Sequence, residues 1–487
     1  MGWRDKNMKR TGLLAECLML IFLLCLLNPI ASWSAEVYDI TFEQIENHKA
    51  FFDDPRPLFK NLGHSKILPP EVHSKLTYDV ETMKRAWVEV IGFKSPDVVG
   101  KIAPEIKPGI YTYQDKDKFP GLKTLMIPLQ YDTFFKPGGP PHAGNFPEIE
   151  IIPTRQYYYA LPIVEATRKQ MGKTQQNDQG YLISESYEAG FPFPKPSGKF
   201  KAQQIMYNWE RRYTMWDNTM LLQFVKGFKK DLKIDFDSSG RIWFLRLHGR
   251  VLMEPYGWYD DRARKLEETK TVNFMNIAPR DLYGNVLNLV SYLDPNKIDQ
   301  LMMYVNALRR IRKLSGTDVQ DQAVGQEITF DDFEGFNRKF SPKRYPWKFE
   351  LIEEREYLVP ACDQDGSIYV SRKGLEYRNI KFERRPIFVV KLSQTDPNYI
   401  YGSTVLYIDQ ETFLFHHIEN YDQKKRLYRT VTSLWSHFED MGTFTLWQGV
   451  LRDYLDLRSD LSLQFLFPAI WINRDHVNLQ SLIKGVK

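Results

Sequence analysis

Residues 403–434 run STVLYIDQETFLFHHIENYDQKKRLYRTVTSL. Three runs rich in β-branched and aromatic residues, Ser403–Ile408, Phe413–Tyr421 and Arg426–Leu434, are separated by Asp409-Gln410-Glu411-Thr412 and Asp422-Gln423-Lys424-Lys425. Short strands joined by four-residue turns make an antiparallel meander. The same pattern recurs upstream. Leu375–Phe382 precedes Pro386–Leu392, and Leu301–Val305 and Arg309–Leu314 flank Asn306-Ala307-Leu308. Asp231–Asp237 and Arg241–Met253 flank Asp237-Ser238-Ser239-Gly240, which reads as a turn. No strand–helix–strand alternation with a glycine-rich turn is present, which excludes a doubly wound dinucleotide fold.

A large antiparallel sheet must bury one face. Strongly twisted strands curl it, and the concave side is then either filled by side chains or left hollow. The predicted class is α+β and mostly antiparallel β: a large curled sheet or half-barrel with covering helices and a Pro-rich N-terminal region wrapped on it. Helical spacing of Met83, Trp87, Val90 and Ile91 predicts a helix over Asp79–Phe93. A second is expected at Ile163–Met171, stopped by Gly172, and a third along the stripe Ala202, Ile205, Met206, Trp209 and Tyr213. Lys136-Pro137-Gly138-Gly139-Pro140-Pro141 and Gly190-Phe191-Pro192-Phe193-Pro194-Lys195-Pro196 exclude regular structure and suit straps lying on a body. The resulting division is 1–34, 35–200 (Pro-rich), 201–440 (the curled sheet) and 441–487 (a C-terminal segment packed on the sheet).

The first 34 residues have the layout of a cleaved secretory signal. Arg4, Lys6, Lys9 and Arg10 precede the apolar run Leu13–Leu27, and the small residues Ala31, Ser32 and Ser34 follow. Cys17 and Cys25 lack the small preceding residue of a lipid-attachment site. Removing this segment takes away four basic and two acidic side chains, so the formal charge of +5 falls to +3. That is too mild to imply a nucleic-acid partner, which normally shows a concentrated basic surface. It also leaves Cys362 as the sole thiol, so no intramolecular disulfide is available. The remaining 453 residues are long enough to fold on packing alone. The expected address is the periplasm.

Chemical motifs are sparse. The nine histidines form no metal-ligand pattern, and there is no nucleophile elbow or phosphate-binding loop. Neighbouring His416 and His417 on one strand point to opposite faces and cannot serve one centre without a bulge. Cys362 has no activating histidine nearby in sequence. Asp331-Asp332-Phe333-Glu334 after Thr329 reads as a helix start, with carboxylates at its positive end. No catalytic residue, metal or cofactor is assigned. The densest basic patch is Arg309, Arg310, Arg312 and Lys313, a candidate contact for a lipid headgroup or an acidic partner, and equally an exposed strand edge.

Several segments in order carry a family resemblance. They are Tyr187–Pro194 with Ile205–Trp209, then Tyr304–Leu314, Gly325–Asp332 and Arg355–Pro360. Over about residues 180–435 the chain resembles the Gram-negative periplasmic proteins labelled outer membrane lipoprotein-sorting proteins. Tyr304 to about Tyr428 is similar in layout to lipoprotein carriers of the LolA type. Asn306 stands where the family's segment has proline. The resemblance implies a curled sheet over an apolar concavity, a periplasmic address and a lipid or other hydrophobic ligand. It also implies work beside an inner-membrane exporter and an outer-membrane barrel protein. The expected function is a periplasmic carrier or chaperone and not an enzyme. A scaffold that carries nothing and an envelope hydrolase with two cleft carboxylates are the alternatives. An integral outer-membrane barrel is disfavoured by 26% charged residues and proline-broken strands.

Overall fold

The strands expected at 403–434 are the middle of a much longer sheet. A computed structural model describes residues 70–486 apart from 139–147, 315–319, 323–325, 345, 364–366, 371–374 and 471. The expected signal segment, with Cys17 and Cys25, lies outside the described residues, as does part of the 136–141 proline run. Two short strands come first, β1 (Gly109–Thr112) and β2 (Glu148–Ile151). Six follow in series: β3 (Asn218–Phe228), β4 (Ile234–Arg246), β5 (Glu268–Ala278), β6 (Val286–Tyr292), β7 (Gln300–Val305) and β8 (Arg310–Leu314). Next come β9 (Trp347–Pro360), the separate hairpin β10 (Ser367–Val370) and β11 (Leu375–Arg378), and β12 (Lys381–Gln394). The last five are β13 (Ser403–Asp409), β14 (Phe415–Tyr421), β15 (Leu427–Phe438), β16 (Thr443–Asp453) and β17 (Arg458–Pro468). Among the described residues the helices of eight residues or more are α1 (Val80–Ile91), α2 (Leu161–Gln170), α3 (Lys201–Glu210) and α4 (Leu479–Val486).

Fifteen strands form one sheet in the order β1-β2-β12-β13-β14-β15-β16-β17-β3-β4-β5-β6-β7-β8, with β9 also along β12. Neighbours are antiparallel except β2 with β12. The outermost strands β1 and β8 do not pair with each other, so the curled sheet is unclosed.

Three expectations need correction. Phe382 and Pro386–Leu392, expected on successive strands, lie on the single strand β12. Residues 443–468, expected within a segment packed on the sheet, are β16 and β17 inside it; β17 pairs with β3 and joins the late meander to the early one. After β17 the chain leaves the sheet, and α4 packs on β6. The stretch Asp237–Gly240 is not a turn either. Strand β4 runs straight through it, and the chain reverses earlier, at Lys229–Lys233, with Leu232 at φ 63°. The glycine answers a close approach: a Cβ at Gly240 would stand 2.3 Å from the Phe274 ring. A bulge between Ser239 and Gly240 accommodates the contact.

The first two helices form as their spacing predicts, and α3 forms but stops at Glu210, short of Tyr213 at the end of the predicted stripe. Asp79 caps α1 by accepting from the Thr82 N–H at 2.8 Å, and Gly92 ends it at φ 94°. Its apolar face buries Trp87, whose Nε1 donates to the Glu411 carbonyl at 2.9 Å. Phe191, in the Pro-rich strap, is fully buried against Trp87, Tyr159, Tyr213 and Phe413. A buried ion cluster ties this N-terminal layer to the sheet. Arg385 on β12 donates to Asp409 and Glu411, each at 2.7 Å, while Glu411 also accepts from the Ser95 and Tyr157 N–H groups at 2.9 Å.

Candidate functional site

The concave face is built by alternation. Leu466, Leu221, Ile242, Phe274, Leu287 and Met303 stand opposite one another across β17, β3, β4, β5, β6 and β7. Because side chains alternate faces along a strand, this register aims one row from each strand at the same side. Between that face and the segment 326–339 lies a cavity of about 230 Å³. At ~10–15 Å³ per water-sized probe position, it has room for roughly fifteen to twenty such positions. Val272, Phe274, Leu287 and Leu289 are only partly covered although they face inward, because they border this space.

The roof segment is fastened at several points. Thr329 and Asp332 close a capping box, with the Thr329 hydroxyl donating to Asp332 at 2.8 Å. Asp332 also accepts from Arg338 at 3.0 Å and from the Tyr401 hydroxyl at 2.8 Å. Asp460 on β17 accepts from the Glu327 N–H and, at 3.2 Å, from that of Ile328. Trp209 on α3 donates to the Phe336 carbonyl at 2.9 Å. Burial pushes the Asp331 carboxyl up to about 7 against the opposing pull of Arg338 and the Tyr399 hydroxyl. Burial likewise pushes Asp460 up to about 7, against the hydrogen bond from Glu327. The acidic run thus forms the helical start expected of it, but Phe333 and Glu334 leave helical geometry at once. The chain then crosses the cavity as a strap, which helical patterning does not reveal.

The predicted basic patch lies elsewhere. Arg309, Arg310, Arg312 and Lys313 are all exposed at edge strand β8 and its entry, and none lines the cavity. His416 and His417 do meet a bulge: Tyr407 pairs with His417 and Ile408 with Phe415, leaving His416 between. They still diverge, His416 lying 3.8 Å from Asp409 and His417 Nδ1 3.2 Å from the Thr432 hydroxyl. Burial pushes His417 down to about 3. Cys362 is buried, and burial pushes its thiol well above the usual range, so it is a poor nucleophile. Glu327, Asp453 and Asp456 bring carboxylate oxygens within 4.8 Å of one another. Arg429 at 3.0 Å from Asp453 and Arg458 at 2.8 Å from Glu327 already pair the two buried members, which read as an ion-pair network with Asp456 exposed beside it.

Residues 142–465 match the family model described as a protein of unknown function, DUF1329. The chain belongs to the DUF1329 family. The match takes in the strap and every strand around the cavity up to Gln464. Curated proteins give no match. Among solved structures, a putative outer membrane lipoprotein-sorting protein domain from Vibrio parahaemolyticus is similar at 15% identity and TM-score 0.42, covering 58% of this chain and 98% of that one. A DUF1329 family protein from Desulfovibrio piger ATCC 29098 is similar at 12% identity and TM-score 0.40, over 55% and 92%. A LolA superfamily protein from Nitrosomonas europaea is similar at 12% identity and TM-score 0.36, over 57% and 98%.

Proposed function

We propose that this DUF1329 protein is a periplasmic carrier or chaperone that holds a lipid-like hydrophobic ligand under the strap, acting between an inner-membrane exporter and the outer membrane. The observation that carries the reading is the cavity itself, a hollow bounded by apolar side chains where a filled core would have been as compatible with the sequence. An acyl chain in water costs ~0.8 kcal/mol per exposed methylene. A chain of a dozen methylenes therefore gains on the order of 10 kcal/mol from shelter, before the cost of ordering it.

The signal-like N-terminus supports the periplasmic address, and no described helix is long and apolar enough to cross a membrane. Transfer requires docking, and the exposed patch at Arg309, Arg310, Arg312 and Lys313 suits an acidic partner surface or anionic headgroups. The hydrolase reading draws no support from the cavity carboxylates. Asp331, Asp332 and Asp460 are each engaged in hydrogen bonds that hold the strap, while Glu334 pairs with Arg212 and Asp299 with Lys339.

Titration with a fluorescent fatty acid tests the proposal. Saturable binding with blue-shifted emission is expected at one site per chain. Absence of saturable binding, with the protein shown to be folded, contradicts it.

A further inference from the structure

The inward rows of β4, β5 and β6 change character together. Along β4 the row runs Ile242, Phe244, Arg246; along β5 it runs Phe274, Val272, Lys270; along β6 it runs Leu287, Leu289, Ser291. Ile242 faces Phe274, Phe244 faces Val272 and Arg246 faces Lys270, while Leu287, Leu289 and Ser291 stand opposite Phe274, Val272 and Lys270 in turn. Three adjacent strands therefore pass from apolar to polar at one level. Two cations directly opposite each other repel, and a sheet gains nothing from such a pair on its own.

At that level a second pocket of about 80 Å³ opens beside the end of α3, sharing Phe244, Lys270 and Arg338 with the apolar cavity. Six of the side chains around it are Arg or Lys and two are carboxylates, Glu210 and Asp299. Most of the cations have acidic partners. Arg246 lies 3.2 Å from Asp217, Arg212 pairs with Glu334, Lys339 reaches Asp299 and Arg338 reaches Asp332. Arg211 is 3.7 Å from Glu210, and its buried Nε has no hydrogen-bond partner. Lys270 makes no salt bridge among the described residues; its Nζ donates to Asn337 Oδ1 at 3.0 Å. Desolvation lowers its ammonium pKa, with Glu334 opposing the shift and Arg212 adding to it. The ammonium is partly covered at the mouth of an apolar hollow, hydrogen-bonded to one amide oxygen and near the carboxylates of Glu334 and Asp299.

We propose that the ligand is an anionic amphiphile: its chain lies in the apolar cavity and its single negative oxyanion, a carboxylate or a phosphate ester, seats against Lys270, Arg246 and Arg211 in the adjoining pocket. The proposal rests on the carrier reading and adds the chemical class of the cargo. An oxyanion gives Lys270 the direct ionic contact that Glu334 and Asp299 do not make, and it offsets the repulsion from Arg246. Such charge-assisted hydrogen bonds are about twice as strong as neutral ones. The pocket's volume, roughly five to eight probe positions at ~10–15 Å³ each, fits a small headgroup and not a sugar.

Displacement of the neutral probe Nile red from the purified protein by three competitors of equal chain length tests this: hexadecanoate, hexadecyl phosphate and hexadecanol. At least one anionic competitor is expected to bind about tenfold more tightly than hexadecanol. Preference for hexadecanoate identifies a fatty acid, and preference for the phosphate identifies a phosphorylated lipid. Lys270→Met, which keeps the apolar stem, should erase most of that preference, and Lys270→Arg should retain it. Equal binding of all three competitors, or an unchanged preference in Lys270→Met, overturns the anion site and leaves the carrier reading standing. If Nile red and every competitor fail to bind the folded protein, the carrier reading falls and the anion site with it.

Discussion

Arg385 illustrates how single residues fasten this molecule. Its guanidinium is 1% exposed and is shared among Asp409, Glu411 and, at 3.5 Å, Glu383. Removing one member of a buried ionic cluster leaves uncompensated charge, at a cost of ~3–5 kcal/mol. Arg385→Met is therefore expected to lower unfolding free energy by about that amount in urea titration; a loss within experimental error contradicts the role. Asp460 makes a pH prediction. Its proton is held more tightly in the folded chain, with the carboxyl raised from 3.8 to about 7. Folding is thus favoured on the acid side, and this contribution fades as pH rises from about 4 to about 7. Asp460→Asn keeps an acceptor for the strap's N–H groups but cannot ionise. Its thermal stability relative to the wild type should rise between pH 5 and pH 8, and parallel profiles would count against the assignment. None of this was legible from residue types. Arg385 and Asp460 are ordinary charged letters in strands, and burial by distant segments gives them their roles.

Among elements, the strap at 326–339 is the one that roofs the cavity. Its first turn was readable, because Thr329 and Asp332 stand at capping-box spacing. Its path was not. The run leaves helical geometry at Phe333 and Glu334 and is then placed by contacts from Trp209, Tyr399 and Tyr401, remote in sequence. Gly335 shows how tight the crossing is, with φ 84° and a position where a Cβ would come 2.2 Å from the Phe415 ring. Gly335→Ala should destabilise by roughly 1–3 kcal/mol, read by chemical denaturation. A neutral effect would mean the strap does not sit as tightly as described. The strands of 403–434 were readable because turn chemistry and alternation agree there. At Ser238–Gly240 they conflict: the composition of a turn occupies a bulge, because a ring on the neighbouring strand needs the missing side chain.

At the scale of the whole molecule, the sheet's class and curl followed from alternation, but the hollow did not. A filled concave face and an empty one share the same period of two, and only the full register of β15 through β7 shows which is present. The basic patch at β8 was visible as sequence because its charges are contiguous. The pocket around Lys270 was invisible because its cations come from the turn after α3, from β4, from β5 and from the strap. A bulky residue at an inward position should fill the hollow without disturbing the fold. Leu289→Trp is expected to keep or raise the melting temperature, since it adds apolar contact in empty space.

Native mass spectrometry of the protein purified from its native cells, beside Leu289→Trp prepared in the same way, tests the carrier proposal most directly. A single bound lipid-sized adduct on the wild type, lost or much reduced in Leu289→Trp, is the predicted result. A wild type that carries no adduct even after incubation with hexadecanoate, or an adduct that persists unchanged in Leu289→Trp, contradicts it.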